Sequence, residues 1–229
     1  MNTMIKNVIF DWSGVINDNV YKGYLTVTGV LLRFGIERMP FEQYRQEFEL
    51  PFMNFYNRYV PKLTFDKEVR IYNEEYAKTP PSKAYPGIVE LIKKFKSKRI
   101  ALGVLSSDSD EHLLVEMERY KLNNVFNYIM IGIHDKEEGL RLMVKENNLD
   151  CGGSLFVGDM LHEIEAGKKV GFKTAGVTWG VHTENKLKSV KPDFIFHNLY
   201  ELEKAVIGEY EVLGMDREKL EKVQKVLNL

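Results

Sequence analysis

The sequence predicts a three-layer α/β fold, a parallel sheet covered by helices on both faces, with a helical segment inserted after the first strand. Three observations predict it. Short apolar runs alternate with longer amphipathic stretches along most of the chain. The polar residues able to carry chemistry fall just after those runs. One aromatic-rich stretch, residues 17–82, interrupts the alternation without a clear strand pattern.

The apolar runs come in order. Val8-Ile9-Phe10 ends at Asp11, and Ile100 to Leu105 ends at Ser106. Tyr128 to Ile133 ends near Lys136, and Leu155-Phe156-Val157 ends at Gly158-Asp159. Thr174 to Val177 and Phe194-Ile195-Phe196 are a fifth and a sixth. Such short, often β-branched runs are expected of strands buried on both faces. Between them, Ile88, Leu91, Ile92 and Phe95 share one stripe of a helix over Ile88 to Lys98. Leu113, Leu114 and Met117 do so over Asp110 to Tyr120, and Leu140, Met143 and Val144 over Lys136 to Asn147.

The insert reads as several helices whose aromatics, Tyr24, Phe41, Tyr44, Phe48, Phe55 and Tyr56 among them, must largely form a small core of their own. Pro80-Pro81 ends it, because proline removes a backbone donor and disfavours helix in the residue before it. The expected division is a core of residues 1–16 and 83–229 and a helical domain of residues 17–82. Met215 to Leu229 reads as a lysine-rich amphipathic helix docking on the core or on a partner.

Composition narrows the field. The 229 residues are 44% hydrophobic and 28% charged, ordinary for a globular protein. Thirty-two basic and 33 acidic residues give a net charge of −1, so no broad attraction to nucleic acid or an anionic membrane is expected. Lys93, Lys94, Lys96, Lys98 and Arg99 read as a solvated helix face. The single cysteine, Cys151, cannot form an internal disulfide and reads as a small turn residue beside two glycines. No signal-peptide pattern opens the chain and no run approaches the ~20 apolar residues of a membrane span. A cytoplasmic protein, monomer or homodimer, is expected. Trp12 and Trp179 suit either the border of a site or simple burial.

In a parallel sheet the ligand crevice lies at the carboxyl ends of the strands, so Asp11, Ser106, Lys136 and Asp159 with Glu163 would converge. Singly, each has an ordinary reading: a turn aspartate, a solvated lysine, acids at a helix N-terminus. Together they suit one task. Carboxylates hold a hard divalent cation through oxygen, and the cation and a lysine neutralise a phosphoryl group. A carboxylate can also attack phosphorus and form an aspartyl phosphate.

The segments VIFDWSGVIND, LGVLSS, a lysine at 136 and FVGDMLHEIEAG, in that order, resemble the four motifs of the haloacid dehalogenase superfamily over nearly the whole chain. Tyr85-Pro86-Gly87 before a helix is similar to the family's usual return from its cap. The resemblance implies a Rossmann-like core and a cap at residues 17–82 that closes over the substrate. It implies that Asp11 is the nucleophile and a magnesium ligand, with the Ser13 carbonyl, Asp159 and Glu163 completing the Mg2+ site. Ser106, with its neighbour Ser107, and Lys136 would bind the phosphoryl group of a small phosphorylated metabolite.

One departure matters. The family's phosphatases usually carry a second aspartate two residues after the nucleophile, which protonates the leaving group and then activates water. Here that catalytic position is Ser13, and a hydroxyl is a poor acid and a poor base near neutral pH. Three readings stay open. The leaving group needs no proton, as in an acyl phosphate or phosphoanhydride. Or another group serves, a cap residue or the substrate, with Asp18 and His162 as candidates. Asp18 reads better as a cap of the insert's first helix, and His162 as a residue on the outer face of its own. Or the protein is weakly active or non-catalytic and binds a phosphorylated ligand. Phosphonoacetaldehyde hydrolase also lacks the second acid, in a segment similar to DWSG, and uses a cap lysine; Lys22, Lys62, Lys67 and Lys78 are available, none within residues 39–61. The metal-ready fourth motif argues against dehalogenation.

Overall fold

A computed structural model describes residues 4–208; the helix expected over Met215 to Leu229 lies outside them. The elements run β1 (Asn7–Phe10), β2 (Asn17–Asp18), α1 (Val20–Leu32), α2 (Phe41–Glu47), α3 (Phe52–Tyr59) and α4 (Phe65–Tyr76). They continue with β3 (Lys83–Ala84), α5 (Ile88–Ser97), β4 (Ala101–Leu105), α6 (Asp110–Arg119), β5 (Tyr128–Met130) and α7 (Lys136–Asn147). Then come β6 (Ser154–Gly158), α8 (Leu161–Val170), β7 (Lys173–Val177), α9 (Glu184–Ser189), β8 (Phe194–Phe196) and α10 (Leu199–Ile207). Cys151 lies half-buried in a 3-10 turn over Cys151–Gly153, as a turn residue should.

All six expected strands join one parallel sheet in the order β5-β4-β1-β6-β7-β8. The alternation of side chains along a strand divides its residues between two cores. Val8 and Phe10 of β1, Leu102 and Val104 of β4, and Leu155 and Val157 of β6 face α5, α6 and α10. Ile9, Leu105 and Phe156 face the opposite way, towards α7 and α8. The helices meet the sheet with the stripes read from the sequence: Ile88, Leu91, Ile92 and Phe95 of α5, Leu113 and Met117 of α6, Leu140 and Met143 of α7. Leu114 is the exception, turned outward and 51% exposed.

Helices α1 to α4 build a third core from Tyr24, Val27, Val30, Leu31, Tyr44, Phe55, Tyr56 and Ile71. Tyr44 meets Phe48 at 5.0 Å between ring centroids and Phe55 at 6.4 Å edge-on. The two-residue strands β2 and β3 pair antiparallel at the two ends of this helical segment. Strands that short carry no periodicity, which is why the sequence does not announce them.

Candidate active site

The parallel register places the ends of the central strands side by side: Phe10 lies between Val104 and Val157. The Asp11 amide continues the ladder to the Val157 carbonyl (2.9 Å), and the Ser106 amide does so to Met130 (2.9 Å). Asp11, Ser106 and Asp159 therefore leave neighbouring strands at one level. Lys136 arrives differently. It does not end a strand but opens α7, six residues past Met130, and from that first turn its side chain reaches back under the rim. Its Nζ donates to Asp11 Oδ1 (2.7 Å) and to the Leu105 carbonyl (2.9 Å).

Asp11, Asp159 and Glu163 are each at most 5% exposed. Each offers an oxygen within 4.8 Å of the others, a set that can hold a metal ion. Glu163 is aimed by the helix start it caps: its Oε2 accepts from the Asp159 amide (2.7 Å) and the Met160 amide (3.0 Å). Asp159 Oδ2 accepts from the Val181 amide (2.6 Å). Backbone from two loops crowds Asp159. A Cβ at Gly14, where φ is +75°, would stand 2.1 Å from its Oδ2, and one at Gly180 would stand 2.1 Å from its Cβ. Only glycine admits both approaches.

Burial sets the electrostatics. It pushes the Asp11 carboxyl up to about 7, with Lys136 pulling the other way and Glu163 adding to the rise. Burial, then Glu163 and Asp11, raise Asp159 well above the carboxylate range, and burial raises Glu163. For Lys136, burial opposes the charge, but Asp11 and Glu163 outweigh it and hold the ammonium above its usual pKa.

A second polar group flanks the first. Ser13 Oγ donates to Asp108 Oδ2 (2.7 Å) and accepts from Asn19 Nδ2 (2.9 Å). Ser106 Oγ donates to the same Asp108 oxygen (3.0 Å) and accepts from the Asp108 amide (3.1 Å). Ser107 lies half-buried between them. The loops after β1 and β4 are thus joined through Asp108, a residue absent from the sequence-based site. Its only signal was a place two residues beyond a strand end, shared by many turn aspartates.

Two expectations need correction. Asp18 does not cap α1: it lies exposed in β2, and Asn19 is the residue before the helix. His162 does not face outward. Its side chain is 25% exposed, with Nε2 3.5 Å from Glu163 Oε1. Burial and the Lys136 charge lower its pKa to about 4, so it stays neutral beside the acids. The first turn of a helix that starts at the rim turns inward, which an outer-face reading of the sequence misses.

Also unforeseen is the joint between the helical segment and the loop 178–183. Arg45 of α2 donates to the carbonyls of Val181 (2.9 Å), Thr178 (3.0 Å) and His182 (3.3 Å). His182, buried, accepts from the Leu161 amide at Nδ1 (3.0 Å), which leaves Nε2 to donate to the Phe48 carbonyl (2.9 Å). Lys186 donates to Gln46 and Phe48 carbonyls, both at 2.8 Å. The two tryptophans support the core side. Trp12 is fully buried and donates to Glu116 (2.7 Å), and Trp179 donates to the Val15 carbonyl (3.3 Å).

A parallel α/β sheet with an aspartate, a lysine and an acidic pair at one rim defines a class, and residues 8–177 match the model of the haloacid dehalogenase-like hydrolase family, so the chain belongs to that family of hydrolases. Among similar proteins, a phosphoglycolate phosphatase of Synechococcus elongatus is 28% identical over 129 residues, covering 56% of this chain and 61% of that protein. The match thus spans less than two thirds of that relative. A pyrophosphatase of Listeria innocua is 24% identical, over 88% of this chain and 96% of its own. A solved haloacid dehalogenase-like hydrolase of Streptococcus pneumoniae superposes with a TM-score of 0.73 at 17% identity, covering 86% of this chain and 96% of that one. At that identity it speaks for the fold. Among the described residues no helix is long and apolar enough to cross a membrane.

Proposed function

We propose that this protein is a magnesium-dependent phosphatase that removes the phosphoryl group from a small metabolite through an aspartyl phosphate on Asp11. The observation that carries the reading is the buried Asp11 carboxylate, 2.7 Å from Lys136 Nζ and grouped with Asp159 and Glu163.

The residues fit a divalent cation. Three carboxylates face one ammonium with almost no solvent, and burial has raised all three. An uncompensated buried charge is costly, and a hard cation with oxygen ligands relieves it. Asp11, Asp159, Glu163 and the Ser13 carbonyl would hold Mg2+, which when bound supplies positive charge against the phosphoryl oxygens. Lys136 then steadies both Asp11 and the phosphoryl group, and the Ser106 hydroxyl, with Ser107 beside it, turns its one hydrogen from Asp108 to a phosphoryl oxygen when substrate binds. Asp11 attacks phosphorus, and water later releases phosphate.

Residues 17–82 act as the cap that shuts out water and selects the substrate. Three of the segment's lysines are held by neighbours. Lys22 lies 3.6 Å over the Tyr76 ring and donates to the Pro80 carbonyl (3.3 Å), Lys67 lies over Phe34, and Lys78 pairs with Glu75. The relatives named for phosphoglycolate and pyrophosphate point to a small anionic substrate. Cytoplasmic placement accords with the single cysteine, Cys151, and the protein acts as a monomer or homodimer.

A panel of phosphomonoesters, para-nitrophenyl phosphate and acetyl phosphate with Mg2+ tests the reading. Turnover that disappears on chelation is expected; silence on every substrate would sink it.

A further inference from the structure

We propose that Asp108 is the proton carrier of this site: it hands a proton to the leaving group and takes one from the water that opens the aspartyl phosphate. The inference rests on the phosphatase reading above and adds a residue to it.

Position and hydrogen inventory carry the assignment. Asn19 Oδ1 accepts from the Gly14 amide (2.9 Å), which fixes the orientation of the Asn19 amide. Its Nδ2 must then donate to Ser13 Oγ, so the one Ser13 hydrogen points to Asp108 Oδ2. Ser106 donates to that same oxygen. Before substrate binds, two hydroxyls hold Oδ2, and Oδ1, which takes part in neither bond, is the oxygen that moves the proton. Asp108 is near enough for its charge to act on both Asp11 and Lys136.

The other acids around the rim are committed. Asp11 is the nucleophile, and Asp159 and Glu163 belong to the cation. Glu116 accepts from Trp12 and from Asn17 with both oxygens engaged. Asp18 lies exposed in β2, whereas Asp108 reaches the site from the loop after β4 and touches the serine two residues beyond the nucleophile.

The steps balance. An Asp11 oxygen bonds to phosphorus while the P–O bond to the leaving group breaks. The electron pair goes to the leaving oxygen, which receives the Asp108 proton. Water then gives a proton to Asp108 and its oxygen bonds to phosphorus. The P–O bond to Asp11 breaks, restoring the Asp11 carboxylate and releasing phosphate.

Acetyl phosphate separates the two halves, because its leaving group needs no acid whereas the second step still needs a base. Full-length wild type and Asp108→Asn are mixed with acetyl phosphate and Mg2+, quenched, and read by intact mass for the 11-phosphorylated protein. Removing the base should slow the second step by about 10²–10⁴-fold, so phosphoenzyme accumulates in Asp108→Asn. Asp108→Asn combined with Ser13→Asp returns a carboxylate to the neighbouring position and should clear it again. A folded Asp108→Asn protein that clears phosphoenzyme as wild type does overturns the proposal and leaves the phosphatase reading standing. If Asp108→Asn fails to fold, Asp108→Ser, which removes the carboxyl but keeps a hydroxyl to meet Ser13 and Ser106, takes its place: wild-type clearance there overturns the proposal equally. Wild type that neither turns over acetyl phosphate nor carries phosphate overturns both.

Discussion

At the rim of the sheet the buried side chains are Asp11, Ser106, Lys136, Asp159 and Glu163, each tied to a partner by a directed bond. In the helical insert they are mostly apolar, Val27, Val30, Leu31, Tyr44, Phe55 and Tyr56 meeting through apolar surface and ring edges, with Thr26, Thr28 and Glu68 the buried polar exceptions. The rim holds charge in a place where charge is costly, and stays intact only while every partner is present. The insert gains from area removed from water, which is indifferent to direction and tolerant of shape. Damage to the rim should therefore be read in chemistry and pH dependence, and damage to the insert in stability.

Four measurements sharpen or break that contrast. The largest effect is expected from Asp11→Asn, which should lower kcat by roughly 10⁴-fold or more while circular dichroism stays native. Retained turnover would remove Asp11 from the chemistry. Next, Phe55→Ala empties a fully buried site in the insert and should cost about 3–5 kcal/mol in urea unfolding. A loss below about 1 kcal/mol would show that this core is not close-packed. The third compares melting with and without Mg2+ across pH. Burial pushes the folded Asp11 carboxyl up to about 7, against 3.8 for the unburied side chain. Between those values the folded state binds more protons than the unfolded chain, so metal-free stability falls as pH rises through that window. Mg2+ competes with those protons and should raise the melting temperature more at pH 7.5 than at pH 5.5; at a hundred times its Kd it stabilises the fold by about 2.7 kcal/mol. Equal gains at both values would contradict the raised carboxylate. The smallest effect is expected from Arg45→Ala, which strips the donor from three carbonyls of the loop 178–183. About 1–2 kcal/mol of stability should go with it, and KM should change more than kcat.

The same contrast explains what could be read from the sequence. All six strands of the sheet were legible because each is an apolar run that ends at a polar residue, and Asp11, Asp159 and Glu163 followed from that pattern. The stripes of α5, α6 and α7 came from helical spacing. Contacts that depend on loop conformation were not legible. Asp108, Asn19, Arg45 and His182 act through backbone carbonyls, amides and other loops, and no spacing in the chain announces which distant peptide a side chain will meet. His162 was misread for a related reason: at the first turn of α8, position relative to the rim overrides the helical face.

Val181 is bonded on both its sides. Its carbonyl is taken by Arg45 of the insert, and its amide holds the carboxylate of Asp159. A shift of α2 that carried the guanidinium along would thus be transmitted to a would-be cation ligand across the width of one amino acid. The insert and the acid cluster thus share a mechanical linkage whose middle link is a valine.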